Sequence, residues 1–440
     1  MSDWQALLAV LDLAWREIAL FAAVGFLVLG ASELAIDLIW LFRRRTPAKR
    51  LTDLPPPAKP GRIAVFVPAW EEAGVIADML SHTMARWSGG DFVLYVGCYP
   101  NDPATVAAVR SVRDPRIRLV IGAAPGPTTK ADCLNQLFEA MKADEAAQGA
   151  GFKAVLLHDA EDVVHGAELD LFDRLTERFD MVQIPVLPLI DIKSRYISGH
   201  YVEEFLDAHV KGLIVRQAIG AAIPAAGVGC AISRAALEEL AGNGRPFDDV
   251  SLVEDYEMGL RLAGRSAFVR IATASGGLIA TRALFPKTLD AAVSQKSRWA
   301  LGISLQGWDR LGWSGGLAER WMRMRDRQAP FAALLLLVGY LSVIVYLLRA
   351  VAAGPLPIGG VLGLLLLASG VLVLWRLGFR VALTASAYGW REGLRALPRV
   401  IVANTIAIMA ARRALARYLG KRDLGWNKTD HAFPAEVPAE

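Results

Sequence analysis

Three apolar runs, each about as long as a bilayer is thick, constrain this chain more than any other feature. They cover residues 18–42, 331–348 and 357–374, and a helix needs about 20 apolar residues to cross a hydrocarbon core. The stretch between the first two runs is of mixed polarity, while the whole chain is 54% hydrophobic. The sequence therefore predicts one sizeable folded domain between membrane segments, and it excludes an ordinary soluble protein.

Basic residues beside the apolar runs predict their orientation. Arg43, Arg44 and Arg45 follow the first run directly, and the formal net charge is only +4. Basic clusters next to membrane segments favour anionic lipid at a cytoplasmic face, so we expect membrane lipids and no nucleic acid as partners. The pattern indicates a multi-pass membrane protein whose folded domain lies in the cytoplasm.

Two details of the membrane segments carry further expectations. Glu33 and Asp37 lie inside the first run on one helical face, and we expect that face to lie near the membrane surface or to pack on another helix. Residues 400–411 form a short apolar run before Arg412 and Arg413, which favours an interfacial or re-entrant helix over a fourth span. Three spans would place the C-terminal tail in the cytoplasm.

Composition divides the chain into consecutive segments. These are an N-terminal amphipathic segment and membrane anchor (1–45), a Pro-rich linker (46–61), a cytoplasmic domain (62–283), amphipathic interface helices (284–330), a membrane hairpin (331–378), and an interfacial helix with a cytoplasmic tail (379–440). The prolines make the linker stiff. Cys98, Cys133 and Cys230 lie far apart without metal-ligand spacing, so we expect neither a zinc site nor a disulfide framework.

Short apolar runs alternate with helical patterns in the cytoplasmic domain. The strand-like runs cover residues 63–67, 92–96, 118–121, 154–158 and 181–185, and the helical patterns between them cover 73–86, 104–112 and 131–141. This alternation predicts an α/β fold with a buried parallel sheet and helices on both faces. Ligands of such folds bind at the carboxyl ends of strands, where several clusters of charged residues fall.

An acidic cluster follows the fourth of these runs. Asp159, Glu161 and Asp162 come directly after it, and hard carboxylate oxygens are the ligands that Mg²⁺ and Mn²⁺ prefer. We therefore expect a divalent cation there, which could neutralise a departing diphosphate. An acidic loop after a strand can equally be a solvated turn.

Glu254 and Asp255 form a second acidic cluster, at a predicted helix start. Acidic residues at that position can act merely as caps of the helix N-terminus. The functional alternative assigns Asp255 as the general base that takes a proton from an attacking hydroxyl, with Glu254 beside it.

A polar motif near residue 300 could bind both an anion and a sugar. Helical spacing puts Gln295, Arg298 and Trp299 on one face. Arg298 could pair with a diphosphate and Trp299 could lie against a sugar ring, although a basic interfacial helix anchored at lipid headgroups has the same composition. Lys130 could pair with phosphate or be an ordinary exposed lysine.

The order of these clusters resembles that of a known family. The matching residues are Pro68 with Glu71-Glu72, Lys130, Asp159-x-Glu161, Glu254-Asp255 and Gln295-x-x-Arg298-Trp299. Together they resemble the signatures of the membrane-embedded family 2 glycosyltransferases, the group that contains cellulose and hyaluronan synthases, over roughly residues 62–310. The resemblance implies a GT-A domain, which is Rossmann-like and binds a nucleotide sugar, inserted between an N-terminal transmembrane helix and C-terminal interfacial and transmembrane helices.

A narrower resemblance points to one bacterial subgroup. The stretches around Trp70, Asn101-Asp102 and His158, and the tail Trp426-x-Lys428-Thr429-x-His431-x-Phe433-Pro434, are similar to the NfrB-type inner-membrane glycosyltransferases. That subgroup serves exopolysaccharide secretion and phage adsorption. The resemblance therefore implies an inverting, processive enzyme of the bacterial inner membrane, with a UDP-sugar donor, a growing glycan acceptor and an outer-membrane export partner.

The family signatures assign roles residue by residue. Catalysis would fall to Asp255 and Glu254; donor binding to Pro68, Trp70, Glu72, Asp102, Lys130, Asp159 and Arg298; acceptor binding to Gln295 and Trp299; and Mg²⁺ or Mn²⁺ binding to Asp159, Glu161 and Asp162.

Some residues depart from the family pattern. Gly97-Cys98 stands where many members have paired aspartates that read the nucleobase, which leaves Asp102 as the nearest acid. The subgroup often carries a C-terminal cyclic-di-GMP-binding domain, which this sequence is expected to lack. Arg413 and Arg417 have the spacing of a cyclic-dinucleotide motif but lie in an amphipathic helix, so we expect no direct cyclic-di-GMP binding.

Two other functions stay open at this point. One is a single transfer to a polyprenyl phosphate, and the other is a non-catalytic membrane scaffold or phage-receptor component. The acids at 254 and 255 favour the polymerase, because an anionic lipid acceptor needs no strong base. The tail around His431 could gate the site or cap the domain, and capping is the simpler expectation.

Overall fold

The structure is a computed structural model that describes residues 3–43, 49–242, 244–420 and 431–437. Arg44, Arg45 and the tail positions 426–430 lie outside the described residues. The strands are β1 (Lys49–Arg50), β2 (Ile63–Pro68), β3 (Phe92–Cys98), β4 (Ile117–Ile121), β5 (Ala154–Leu157), β6 (Met181–Gln183), β7 (Val186–Pro188), β8 (Cys230–Ser233), β9 (Ser266–Phe268), β10 (Ile271–Ala272) and β11 (Thr281–Ala283).

Helices occupy most of the remaining chain. They are α1 (Asp3–Arg43), α2 (Ile76–Arg86), α3 (Pro103–Ser111), α4 (Lys130–Gln148), α5 (Glu168–Leu175), α6 (His200–Phe205), α7 (Leu213–Ala218), α8 (Arg234–Ala241), α9 (Glu254–Arg261), α10 (Leu289–Trp299), α11 (Gly307–Leu311), α12 (Leu317–Arg327), α13 (Ala329–Ala353), α14 (Gly360–Tyr388) and α15 (Trp390–Leu419). π-Helical segments join α6 to α7 (Leu206–Gly212) and α10 to α11 (Ala300–Gln306), and a 3-10 turn covers Leu51–Asp53.

A seven-stranded sheet forms the centre of the domain, in the order β4-β3-β2-β5-β8-β6-β9. Strand β2 pairs in parallel with β3 and β5, whereas β8 runs antiparallel to both β5 and β6. The five strands predicted from the sequence run parallel to one another, and the antiparallel β8 is a strand that the sequence analysis did not predict. A four-residue apolar strand buried on both faces looks the same in sequence whichever way it runs.

Both faces of the sheet are buried, as the sequence predicts. Ile63, Val65 and Val67 pack into one core with residues of α2, α3 and α5. Ala64 and Phe66 point the other way and pack with α4, α8 and α9. Alternate residues of one strand thus enter separate cores, because successive side chains of a strand point to opposite faces.

Within the described part of the chain, four helices, α1, α13, α14 and α15, are by length and composition apolar enough to cross a membrane. The short helix expected at 400–411 is part of the longer, 30-residue helix α15. Arg413 of α15 lies 2.7 Å from Asp290 of α10, and the interfacial position of this helix stays a prediction. Arg399 and Glu392 broke the apolar run in the sequence. In the structure Arg399 is fully buried and donates to Glu203, 2.8 Å away, and it also pairs with Glu392.

Buried ion pairs attach the domain to the long helices. Asp37 lies 2.6 Å from Lys211 in the π-helical segment, and Glu33 lies 2.8 Å from Arg325 in α12. Arg376 of α14 lies 3.2 Å from Glu33. The acidic face of α1 packs on other helices, which is one of its two expected environments, and buried charges are tolerated because they are paired.

Candidate active site

The loops that follow two neighbouring strands form the floor of the candidate site. Strand β2 ends at Pro68 and leads to Glu71 and Glu72, and β5 ends at Leu157 and leads to Asp159. Because β2 and β5 pair directly and run parallel, their carboxyl ends lie side by side. This edge of the sheet is where α/β folds bind ligands.

Lys130, Asp159, Glu254 and Asp255, which we call the base cluster, meet beside this floor. Lys130 is the first residue of α4, and its Nζ lies 2.5 Å from Asp159 Oδ1. Burial opposes the charged ammonium, but the three carboxylates outweigh burial and raise the pKa of Lys130. Lys130 is therefore not an ordinary exposed lysine, since its cation is held by the acids around it.

The base cluster places both acids of the second motif in a buried setting. Helix α9 begins at Glu254 and its N-cap residue is Val253, so neither acid is the N-cap. Burial and the adjacent Asp255 charge raise the pKa of Glu254 to about 7, and burial raises the pKa of Asp255, while Lys130 opposes both shifts. A buried carboxylate with a raised pKa beside a cation is suited to accept a proton.

Gly227 leaves the space in which Asp255 and Lys130 approach each other, and the sequence analysis did not identify this glycine. Its φ is 74°, and a Cβ at this position would collide with the Asp255 carboxylate and lie 3.4 Å from the Lys130 nitrogen. Gln183 holds the turn, because its side-chain amide donates to the carbonyls of Val228 and Gly229 at 2.9 and 3.0 Å. Glycines beside a buried strand are a sequence signal for such a close backbone approach.

Helix α10 brings Arg298 near the same cluster. Its positive charge lowers the pKa of both Glu254 and Asp255, and within the described ranges Arg298 has no ion-pair partner. Trp299 packs edge-on to Tyr201 and Phe205, with ring centroids 6.2 and 6.3 Å apart. The π-helical segment begins directly after Trp299, and such segments are frequent at functional sites.

Helix α10 also lines a polar cavity of about 250 Å³. It is lined by residues of α6, α10, α14, α15 and the first π-helical segment, namely His200, Glu203, Glu204, Asp207, Lys296, Arg376, Phe379, Arg380, Leu383, Thr384, Ala403, Asn404 and Ala407. Among the described residues, the lining atoms His200 Nε2, Arg380 Nε and Thr384 Oγ1 are buried without a hydrogen-bond partner, as is Oε1 of Gln295 elsewhere in α10. Buried polar atoms without partners indicate a place where water or a polar ligand binds.

Glu72, Glu161 and His431, which we call the cation cluster, meet at the other end of the floor. His431 Nδ1 lies 2.8 Å from Glu72 Oε1 and 3.3 Å from Glu161 Oε2. Burial raises the pKa of Glu161 to about 8, although His431 opposes this shift. Burial opposes the charged form of His431, but the two glutamates outweigh it and raise its pKa to about 9.

The cation cluster has the chemistry of a metal site. Its three ligand atoms all lie within 4.8 Å of one another. Two carboxylates suit Mg²⁺ or Mn²⁺, and the imidazole favours the softer Mn²⁺. Of the predicted metal ligands, Glu161 belongs to this cluster, whereas Asp159 is paired with Lys130.

Asp162, the third predicted metal ligand, lies behind the acidic loop. It is buried, and its Oδ2 accepts from the Asp159 backbone N–H at 3.0 Å and lies 2.9 Å from His158 Nδ1. His158 Nε2 lies 3.0 Å from Glu168. Burial opposes the imidazolium form, but both acids outweigh it and raise the pKa of His158 to about 10. This buried chain, which sequence reasoning missed, fixes the backbone of the acidic loop.

The predicted donor residues near β2 form a rigid wall. Trp70 packs edge-on to Tyr99, with ring centroids 5.2 Å apart. Asp102 is the N-cap of α3 and accepts from the backbone N–H of Glu71 at 2.6 Å and of Thr105 at 3.2 Å. Glu71 has a φ of 54°, the one positive value for a non-glycine residue in the described part of the chain. Asp102 thus holds a strained turn, and backbone amides engage both its oxygens.

The glycine that replaces an expected acid has a packing reason. A Cβ at Gly97 would collide with the sulfur of Cys133 in α4. Cys98 and Cys133 are both buried, and with Cys230 they are free thiols. An aspartate at position 97 would therefore push α4 away from the sheet, and Lys130 lies at the start of that helix.

Comparisons with known proteins agree with this geometry. The family described as "Glycosyltransferase like family 2" matches residues 60–302. Bacteriophage adsorption protein B of Escherichia coli K12 is 34% identical over 96% of this chain, and Bacteriophage N4 adsorption protein B of E. coli O157:H7 has the same identity and coverage. The chain spans 62% of the length of these relatives.

A solved structure shares the fold. It is the mannosyltransferase PcManGT from Pyrobaculum calidifontis, in complex with GDP-Man and Mn²⁺. Its TM-score is 0.56 at 17% identity, and the match covers 91% of this chain and 99% of PcManGT. The fold is therefore of the GT-A type, flanked by apolar helices. With the match over residues 60–302 and the relatives at 34% identity, the chain belongs to the family 2 glycosyltransferases.

Proposed function

We propose that this chain transfers a sugar from a nucleoside diphosphate sugar to a hydroxyl of a growing glycan, with inversion at the anomeric carbon. The observation that carries the proposal is the base cluster. Asp255 packs on Gly227 within reach of Lys130, and Lys130 lies 2.5 Å from Asp159. A base, a cation and an acid loop are thereby brought to one edge of the sheet, which is the arrangement that glycosyl transfer needs.

The transfer is a single displacement at the anomeric carbon. The acceptor oxygen attacks the anomeric carbon, and its proton passes to the Asp255 carboxylate. The bond from that carbon to the β-phosphate oxygen breaks, and the nucleoside diphosphate leaves with the electron pair. The charges of Lys130 and Arg298 both act on Glu254 and Asp255, and Arg298 has no ion-pair partner in the described part of the chain. Both could therefore stabilise the departing diphosphate.

A divalent cation would supply further charge neutralisation at the diphosphate. Glu161 and its neighbours in the cation cluster fit such an ion, and Mn²⁺ is present in the PcManGT complex. We propose Mg²⁺ or Mn²⁺ as the cofactor and a UDP-sugar as the donor. The GDP-Man in PcManGT makes GDP-sugars the alternative donors to compare.

The long helices and the polar cavity support a membrane polymerase over a single transfer. The described residues include four apolar helices of spanning length, and α10, the helix of Trp299, also lines a cavity of paired charges through Lys296. Paired charges with uncommitted polar atoms suit the hydroxyls of a glycan, whereas a polyprenyl phosphate would need a surplus of cations. We place the protein in the bacterial inner membrane, with its sheet domain in the cytoplasm and the glycan leaving between its helices.

A second candidate function has support from the relatives. Both are named as phage adsorption proteins, so this chain could serve as a receptor component without turnover. The two functions differ in one observable. An enzyme releases nucleotide from its donor, and a scaffold does not.

The test is turnover by the full chain in nanodiscs. UDP- and GDP-sugars are offered singly with Mn²⁺ or Mg²⁺, and both nucleotide release and product mass are followed. Release with a high-mass glycan is the expected result. A short lipid-linked product would instead establish single transfer, and silence with every donor and both ions would favour the scaffold.

A further inference from the structure

The tail after the last long helix returns to the sheet domain. Among residues 431–437, His431 lies in the cation cluster, 2.8 Å from Glu72. Phe433 packs against the core between the sheet and α2, with its ring centroid 5.8 Å from that of His82. The tail thus contacts the domain at two places, through His431 at the acids and through Phe433 at the core.

The contacts of His431 differ from ordinary capping of a domain. Glu72 is buried and Glu161 is largely buried, so the imidazole enters a recess that already holds two acids. Glu72 and Glu161 come from the loops after the paired strands β2 and β5, whereas His431 comes from the tail. A buried pair of carboxylates is costly without a positive partner, so the cation that binds there contributes to holding the tail on the two loops.

The spacing of the ligand atoms fits one ion. Ligands bound at about 2.1 Å to a single ion lie about 3–4 Å from one another, and the three ligand atoms here lie within 4.8 Å of one another. Small side-chain adjustments would bring all of them onto one cation. Asp162 is directed to His158 instead, and Asp159 to Lys130.

We propose that the C-terminal tail is a built part of the cation site, with His431 as its imidazole ligand, so that cation binding fixes residues 431–437 onto the sheet domain. Docking of the tail and binding of the ion then strengthen each other by the same factor, because coupling between two binding events is reciprocal. The inference rests on the proposed function only in that a divalent cation binds at this edge of the sheet. In this proposal the tail supplies a ligand to the cation site and does not merely cap the domain.

The test uses the full chain in nanodiscs without donor, with Mn²⁺ as the probe. Binding is measured from the spectroscopic signal of free Mn²⁺, and hydrogen exchange is followed in the peptide that contains residues 431–437. We expect Mn²⁺ to slow exchange in that peptide severalfold. His431→Ala should weaken Mn²⁺ binding about tenfold or more, as loss of metal-site support commonly does, and abolish the slowing.

The control variant is Glu436→Gln, because Glu436 is exposed on the same tail. It should leave Mn²⁺ affinity and tail exchange as in the unsubstituted protein. Unchanged Mn²⁺ affinity in His431→Ala, or tail exchange that ignores Mn²⁺ in the unsubstituted chain, would overturn the proposal. Neither readout needs turnover. An inactive protein that passes both tests would therefore count against the proposed function alone. An active protein that fails both tests would count only against the proposed role of the tail.

Discussion

The base cluster and the cation cluster occupy the same edge of the sheet but are built differently. Lys130 and Glu254 are the first residues of α4 and α9, so regular elements packed in the core fix their positions. Glu72, Glu161 and His431 lie on two loops and the tail, and ion pairs join the tail histidine to the two glutamates. Rigid elements hold groups more closely than loops do, so substitutions should damage the first cluster through geometry and the second through ion binding.

Asp255→Asn should break the base cluster most completely. An amide cannot accept the proton, and general-base catalysis is typically worth about 10²–10⁴-fold, so we expect turnover to fall by about 10³-fold. Nucleotide affinity, measured by calorimetry, should change little. Asp249→Asn is the matched control, because Asp249 is exposed near the start of the same helix. Turnover within tenfold of the unsubstituted enzyme would refute the role of Asp255.

Gly227→Ala should break the same cluster through packing. The added Cβ would collide with the Asp255 carboxylate at a backbone position with φ of 74°, so we expect turnover to fall about 10²-fold, since misplacement by about 1 Å can cost that much. Gly220→Ala separates strain from collision, because Gly220 has φ of 75° and open space around its Cβ position. Equal losses of turnover in both variants would mean that backbone strain alone matters.

A pair of substitutions sharpens the boundary of the cation cluster. Glu161→Gln removes a charged ligand and should weaken Mn²⁺ binding about tenfold. Asp162→Asn should leave Mn²⁺ affinity within about threefold and lower the free energy of unfolding by about 1–3 kcal/mol, because it weakens buried hydrogen bonds. Mn²⁺ titration and thermal unfolding of the two variants are the measurements. The reverse pattern would return Asp162 to the metal ligands.

Lys130→Gln should have the smallest of these effects, a shift in the pH dependence of activity. The Lys130 charge lowers the pKa values of Glu254 and Asp255, so its loss should raise both. The base must be deprotonated, and the acidic limb of the kcat/KM profile should therefore move to higher pH, by about one unit. A limb that stays in place, or moves to lower pH, would show that the lysine does not tune the base.

The sequence predicted the base cluster better than the cation cluster for a physical reason. Apolar strands and helical periodicity locate the loops of Asp159 and the start of α9, and hence the side chains they carry. His431 has no such signal, because a loop contact between distant residues leaves no periodic pattern. The sequence placed Glu161 and Asp162 together as ligands, yet the structure directs them to different partners.

The two errors in the fold have separate causes. Strand β8 was not predicted, since it has only four residues and no alternation of buried and exposed positions. The length of α15 was underestimated because Arg399 looks polar in sequence, although Glu203 and Glu392 neutralise it inside the structure. Gly227 was missed because its role is to leave space for the Asp255 carboxylate, which the sequence does not show.

The most direct measurement is a structure of the full chain in nanodiscs with bound UDP and Mn²⁺. The account predicts Mn²⁺ on Glu161 and His431, with the diphosphate between that ion and the side chains of Lys130 and Arg298. Asp255 should face the space next to the β-phosphate where the donor sugar and the acceptor hydroxyl would bind. Nucleotide bound elsewhere, or Mn²⁺ held without Glu161 while the tail stays away, would contradict the assignment of this edge of the sheet as the site of transfer.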